Sequence, residues 1–305
     1  MYIYAKRKVM TGFCSGIITA MVTPFDSDGK VNFSELGRMI EYQIGGGTDA
    51  LVILGTTGEP STMTEDEKSD VIKFTVENFK GYIKIIVGTG CNDTRRAVAA
   101  SRRAEELGAH GVIAVTPYYN KCTQEGLYQY YNSICSAVKI PVIAYNVPTR
   151  TAVNILPETA ERLAEIPNMA GIKEASGNMP QVVETMRRVR GKIDLFSGEE
   201  CLNLPILAIG GAGLVSVTSN IAPALVKRMY TLVKENRLSE ANEVQDFLLP
   251  LNDVCFVEVN PIPIKAAYNM LGFNAGVPRP PLTELSEKNK LLLKKQIDRV
   301  GLSKI

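Results

Sequence analysis

The sequence has no tryptophan and a single histidine, His110, among 305 residues. One imidazole is little from which to build a zinc centre or a Ser-His-Asp triad, so no metal is expected. Charge of one sign is also scarce: 34 Lys plus Arg against 32 Asp plus Glu leave a net +2. Such a chain has no electrostatic footprint for nucleic acid or an anionic membrane surface. No long apolar run is present. The longest, Pro205 to Val217, contains one proline and three glycines and is too short to cross a bilayer. The six cysteines, Cys14, Cys91, Cys122, Cys135, Cys201 and Cys255, form no CxxC pair. A chain of this length needs no disulfide staples, so they read as free thiols in a reducing, cytoplasmic setting. The opening MYIYAKRKVM is basic but no apolar h-region follows it. It therefore reads as a short arm rather than a signal peptide.

What the sequence does have is repetition. β-branched apolar runs recur at Ile17–Val22, Leu51–Leu54, Ile83–Val87, Gly111–Val115, Pro141–Tyr145, Met169–Lys173, Ile193–Phe196 and Gly213–Val217. Their starts lie 20 to 34 residues apart, room for one strand, one helix and two short loops. The runs are continuous rather than alternating, as in parallel strands buried on both faces. Between them, helix-period segments carry start signals. Thr64 and Glu67, and likewise Asn32 and Glu35, have capping-box spacing. Eight strands alternating with helices point to a (β/α)8 TIM barrel over residues 13–236, after an arm at 1–12. A doubly wound sheet is the alternative, weakened by the absence of any GxGxxG or Walker-type loop. Beyond 236 only helical patterns remain, and residues 237–305 read as a C-terminal helical extension packed on the barrel.

In a barrel, chemistry sits where strands end. Lys173 follows Met-Ala-Gly-Ile, so its stem lies in an apolar strand. Desolvation there disfavours the ammonium and leaves some free amine, which can condense with a ketone. The alternative is an ammonium that snorkels to the mouth or pairs with Glu174. Lys84, at the start of its strand, serves as a structural control. Thr56, Tyr119 and Tyr145 end other strands and could relay protons, although a strand-end tyrosine often only packs. Arg150 suits bidentate carboxylate binding, with a surface salt bridge as its alternative. Gly55–Glu59 could offer backbone N–H groups to a carboxylate or be only a tight turn.

Seven stretches, in order, carry a resemblance: GTTGE at 55–59, GTGCN at 88–92, TPYYNK at 116–121, YNVPTRT at 145–151, GIKEASG at 171–177, SGEE at 197–200 and GLVSVTSN at 213–220. The chain resembles the dihydrodipicolinate synthase family of the pyruvate-dependent class I aldolases, from about Gly16 to its end. The resemblance implies that Lys173 forms an imine with pyruvate and that Thr56, Tyr119 and Tyr145 relay protons, Tyr119 reaching across a subunit interface. It further implies Thr57 at the pyruvate carboxylate, Arg150 at the carboxylate of L-aspartate-4-semialdehyde, and Gly198 and Val215 as substrate-binding positions. No cofactor is implied, and the expected assembly is a tetramer built as a dimer of dimers. Sugar-acid lyases of the same superfamily, such as N-acetylneuraminate lyase, are the alternative; Arg150 and Thr56-Thr57 favour the synthase. At the positions where lysine-inhibited members bind L-lysine, this chain has Glu65, Lys68 and Arg96, which implies weak feedback.

Overall fold

Gly16–Ala20 and Ala50–Ile53 are buried at every position, as strands must be when one face meets a barrel interior and the other a layer of helices. The computed structural model describes residues 12–304. Its strands are β1 (Gly16–Ala20), β2 (Ala50–Ile53), β3 (Lys84–Gly88), β4 (Gly111–Val115), β5 (Val142–Asn146), β6 (Met169–Glu174), β7 (Asp194–Ser197) and β8 (Gly213–Ser216). Each pairs in parallel with the next, and β8 pairs with β1 to close the barrel. Every apolar run expected from sequence holds its strand to within two residues at either end.

The helices between and after the strands are α1 (Phe33–Gly45), α2 (Glu65–Phe79), α3 (Thr94–Glu106), α4 (Gln124–Ala137), α5 (Pro148–Thr151), α6 (Pro157–Leu163), α7 (Met179–Val189), α8 (Asn203–Ala208) and α9 (Pro223–Lys234). Helices α10 (Leu238–Cys255), α11 (Ile262–Met270) and α12 (Glu287–Arg299) follow the last strand. The Thr64 capping box is complete: Glu67 N–H donates to Thr64 Oγ1 at 3.2 Å and Thr64 N–H to Glu67 Oε2 at 2.9 Å. The Asn32 box is only half formed. Asn32 Oδ1 accepts the Glu35 N–H, but the Glu35 carboxylate turns inward to Arg38 and the Asn274 N–H. A buried glutamate with a distant backbone donor has a better partner than the cap.

The C-terminal helices lie against the barrel rather than beside it. Gln245 on α10 donates to the Glu200 carbonyl at 2.9 Å, and the buried Tyr268 of α11 meets Gln43 Nε2 at 3.3 Å. The arm lies outside the described residues up to position 11; Gly12 N–H donates to Asp194 Oδ2. At the base, Lys84 Nζ donates to the Phe13 carbonyl and His110 Nδ1 accepts the Ile85 N–H at 3.0 Å, so both have structural partners there. All six cysteines are free thiols. No helix among the described residues is long and apolar enough to cross a membrane.

Candidate active site

Strand register decides what Lys173 meets. Tyr145 on β5 is paired with Lys173 on β6, and the next pair along is Asn146 with Glu174. Successive side chains of a strand point to opposite faces, so the tyrosine and the lysine share one face and the other two share the second. Contacts follow that division. Lys173 Nζ lies 4.1 Å from the Tyr145 ring centroid. Glu174 takes a 3.0 Å hydrogen bond from Asn146 Nδ2 and a 2.7 Å one from the Ser176 N–H. The Lys173–Glu174 pair considered from sequence is therefore not formed.

The amine is enclosed, with Lys173 only 7% exposed. Burial pushes it down from the ordinary lysine range to about 8; Arg150 adds to the fall, while Glu200 and Glu199 oppose it from a distance. Lys173 forms no ion pair among the described residues. Gly198 explains how a long side chain fits here. A Cβ at residue 198 would lie 2.7 Å from Lys173 Cε, so the β7 mouth has room for the lysine only because that position is glycine. Burial likewise lifts the Tyr145 phenol to about 12, with Arg150 pulling down and Glu199 up. The phenol stays protonated at neutral pH and is able both to donate and to accept.

The loops around this centre differ in how far they close on it. After β2, Thr56–Gly58 forms a 3₁₀ turn. Its carbonyls at Gly55 and Thr56 engage the N–H groups of Gly58 and Glu59, leaving those of Thr56 and Thr57, at the head of the turn, without a partner inside it. Thr56 is exposed and Thr57 buried. Arg150, on the single turn of α5 after β5, is exposed and forms no ion pair among the described residues of this chain. Its charge nevertheless acts on both Tyr145 and Lys173. Val215 is buried in β8 beside Ile18. Tyr119 stands apart: it is 92% exposed and in the left-handed backbone region at φ 70°, and this single chain does not enclose it.

The chain that carries this centre, a buried lysine amine deep in a barrel mouth, has close relatives. The sequence profile of the dihydrodipicolinate synthetase family matches residues 13–300. The chain belongs to that family. It is 46% identical over 284 residues to 4-hydroxy-tetrahydrodipicolinate synthase of Caldicellulosiruptor bescii, covering 93% of this chain and 96% of the relative. Among solved structures it is similar to dihydrodipicolinate synthase from Thermotoga maritima, with TM-score 0.93 and 41% identity over 95% of this chain and 99% of that one. It is equally similar in fold to the chloride-inhibited Acinetobacter baumannii enzyme complexed with pyruvate, at TM-score 0.93 and 39% identity over 95% and 99% of the two chains.

Two features of this synthetase-family site were not reached from sequence. The Glu200 carboxylate gathers Ser216 Oγ, the Val217 and Thr218 N–H groups and Asn203 Nδ2 at 2.7–3.0 Å, tying the β7 mouth to the β8 mouth. The loop after β2 is held from the far end of the chain. Lys265 Nζ lies 2.6 Å from Glu59 Oε1, the Arg279 N–H donates to Glu59 Oε2, and Asn260 Nδ2 donates to Thr57 Oγ1 at 2.8 Å. A lysine inside the apolar stretch IPIKAAY was the one available signal for the second feature.

Proposed function

We propose that this protein is a 4-hydroxy-tetrahydrodipicolinate synthase, a lyase that condenses pyruvate with L-aspartate-4-semialdehyde in the diaminopimelate route to lysine. The observation that carries the reading is Lys173: buried, without an ion pair among the described residues, opposite Tyr145 and pushed down to about 8. Its free amine attacks the pyruvate ketone; water leaves and an imine forms. The imine nitrogen is an electron sink, so a methyl proton comes off to give an enamine. Enamine carbon attacks the semialdehyde carbonyl, and the amine of that substrate then closes the ring on the imine carbon and releases Lys173.

Carbinolamine formation, enamine formation and ring closure each move protons, the work of Tyr145, Thr56 and Tyr119. Thr57 and the head of the 3₁₀ turn receive the pyruvate carboxylate, with Gly198 and Val215 lining the same site. Arg150, exposed and without an ion pair among the described residues, takes the semialdehyde carboxylate. The near-total exposure of Tyr119 supports its service in a second subunit's site, within a tetramer arranged as a dimer of dimers. Six free thiols fit a reducing, cytoplasmic setting. The test is turnover of pyruvate and semialdehyde coupled to a dihydrodipicolinate reductase, with borohydride trapping of pyruvate. One adduct at Lys173 and coupled turnover are expected. Turnover with N-acetylmannosamine in place of the semialdehyde would overturn the reading.

Weak lysine feedback belongs to the same reading. Glu65 is paired with Lys68 at 2.8 Å and so is engaged, while Arg96 is exposed and its charge reaches Tyr118. A second ammonium would meet net positive charge. Initial rates at subsaturating pyruvate should be unchanged by millimolar L-lysine; submillimolar inhibition would contradict this.

A further inference from the structure

Thr57 and Asn260 are 203 positions apart and in hydrogen-bond contact, Nδ2 to Oγ1 at 2.8 Å, both buried. A hydroxyl has one proton to give and two lone pairs to fill. Since Asn260 fills one lone pair as donor, the Thr57 proton is left to point elsewhere. An O–H that itself accepts a hydrogen bond is polarised and donates more strongly. Asn260 is also rigidly seated. It precedes α11, whose Lys265 is paired with Glu59 two residues beyond Thr57, and Glu59 also accepts the Arg279 N–H. Two consecutive parts of the C-terminal segment therefore grip the same short loop. The Asn260 Oδ1 is buried without a hydrogen-bond partner among the described residues. An orphaned buried acceptor is costly, and packing alone does not account for one beside Thr57.

We infer that Asn260 is a positioning residue for the keto-acid substrate: it orients the Thr57 hydroxyl so that its proton is presented to the pyruvate carboxylate. This rests on the reading that Thr57 binds that carboxylate. The function is one of direction. With Asn260 donating, Thr57 donates onward; with an acceptor in its place, Thr57 would turn its proton away from the substrate.

The experiment compares wild type, Asn260→Ala, Asn260→Asp, Thr57→Val and the Thr57→Val/Asn260→Ala double variant. Pyruvate KM, semialdehyde KM, kcat and the pyruvate dependence of borohydride trapping are measured, with circular dichroism to check folding. Asn260→Ala should raise the pyruvate KM and the half-trapping concentration by up to about 10- to 150-fold, the full effect of one hydrogen bond to a charged group, and leave the semialdehyde KM within about twofold. Asn260→Asp, nearly the same size but acceptor-only, should lose more than Asn260→Ala, and it carries the test if the alanine variant does not fold. In the Thr57→Val background the Asn260→Ala change should add less than about twofold, because the group it acts through is gone. The inference is overturned by an unchanged pyruvate KM in both Asn260 variants. It is equally overturned by the same factor appearing with and without the Thr57 hydroxyl, or by an equal rise in both KM values. Failure of wild type to trap pyruvate at Lys173 would instead sink the reading beneath it.

Discussion

Among the described residues two lysines are buried, and only one has the surroundings of a nucleophile. Lys173, in the barrel mouth, and Lys265, under the loop after β2, are both pushed down to about 8 by burial. Lys265 is held 2.6 Å from a carboxylate, over the Phe25 ring at 3.9 Å and against the Val277 carbonyl at 3.3 Å. Lys173 has an aromatic face and no ion pair among the described residues. Desolvation alone therefore does not assign chemistry. A buried amine becomes reactive when no adjacent carboxylate holds it as an ammonium and when a strand end opens it to substrate.

The comparison breaks most visibly in activity. Lys173→Ala should abolish turnover by about 10⁴-fold or more and remove the borohydride adduct. Lys265→Met should keep an adduct at Lys173, and pyruvate trapped on Lys265 in wild type would undo the distinction. The same Lys265→Met change should lower stability by about 3–5 kcal/mol, since the buried Glu59 carboxylate loses its cation at 2.6 Å. Urea unfolding measures this, and the Lys265→Met/Glu59→Gln pair should recover part of the loss. Arg150→Ala should raise the semialdehyde KM by 30- to 1000-fold, on the order of 2–4 kcal/mol for a charge-assisted bidentate contact. It should also move the pH midpoint of pyruvate trapping upward, because Arg150 is one of the charges holding Lys173 down.

The smallest effect has the most telling sign. With its folded pKa near 8, Lys173 releases its proton in the native state before it does so in the unfolded chain. Between pH 8 and the ordinary lysine range the unfolded state binds more protons, so stability rises with pH there; below 8 the penalty is fully present. Lys173→Met should therefore stabilise the protein by about 1–3 kcal/mol at pH 7, and the gain should shrink towards pH 10. Thermal unfolding across that range decides it. The same substitution at Lys265 should go the other way.

What was legible from sequence was what is local. Eight β-branched runs and the Thr64 box can be read within a dozen residues, and so can Lys173 in its apolar strand. That β5 and β6 are neighbours follows from barrel order, but the match of Lys173 to Tyr145 needs their register, which shifts at Val142 and Ile143. Glu35 could not be read, because its partner Asn274 lies 239 positions away. For the same reason Asn260 and Arg279 gave no local pattern, and Lys265 gave only its place in an apolar stretch: their partners are in the loop after β2. Gly198 was placed at the site by resemblance, but its physical reason, the space taken by Lys173 Cε, exists only once β6 and β7 are adjacent.

The contact between Thr57 and Asn260 also has a consequence in time. A ribosome adding about 5–20 residues per second needs roughly 10–40 s to travel from one to the other. All eight strands are complete by Ser216, well before Asn260 and Lys265 have been made. A nascent chain can thus hold every strand of the barrel and the reactive lysine while the loop meant to receive the keto acid is still unclamped. Competence arrives last, with the final helices, so a chain cut short in α10 would be a barrel without a finished site.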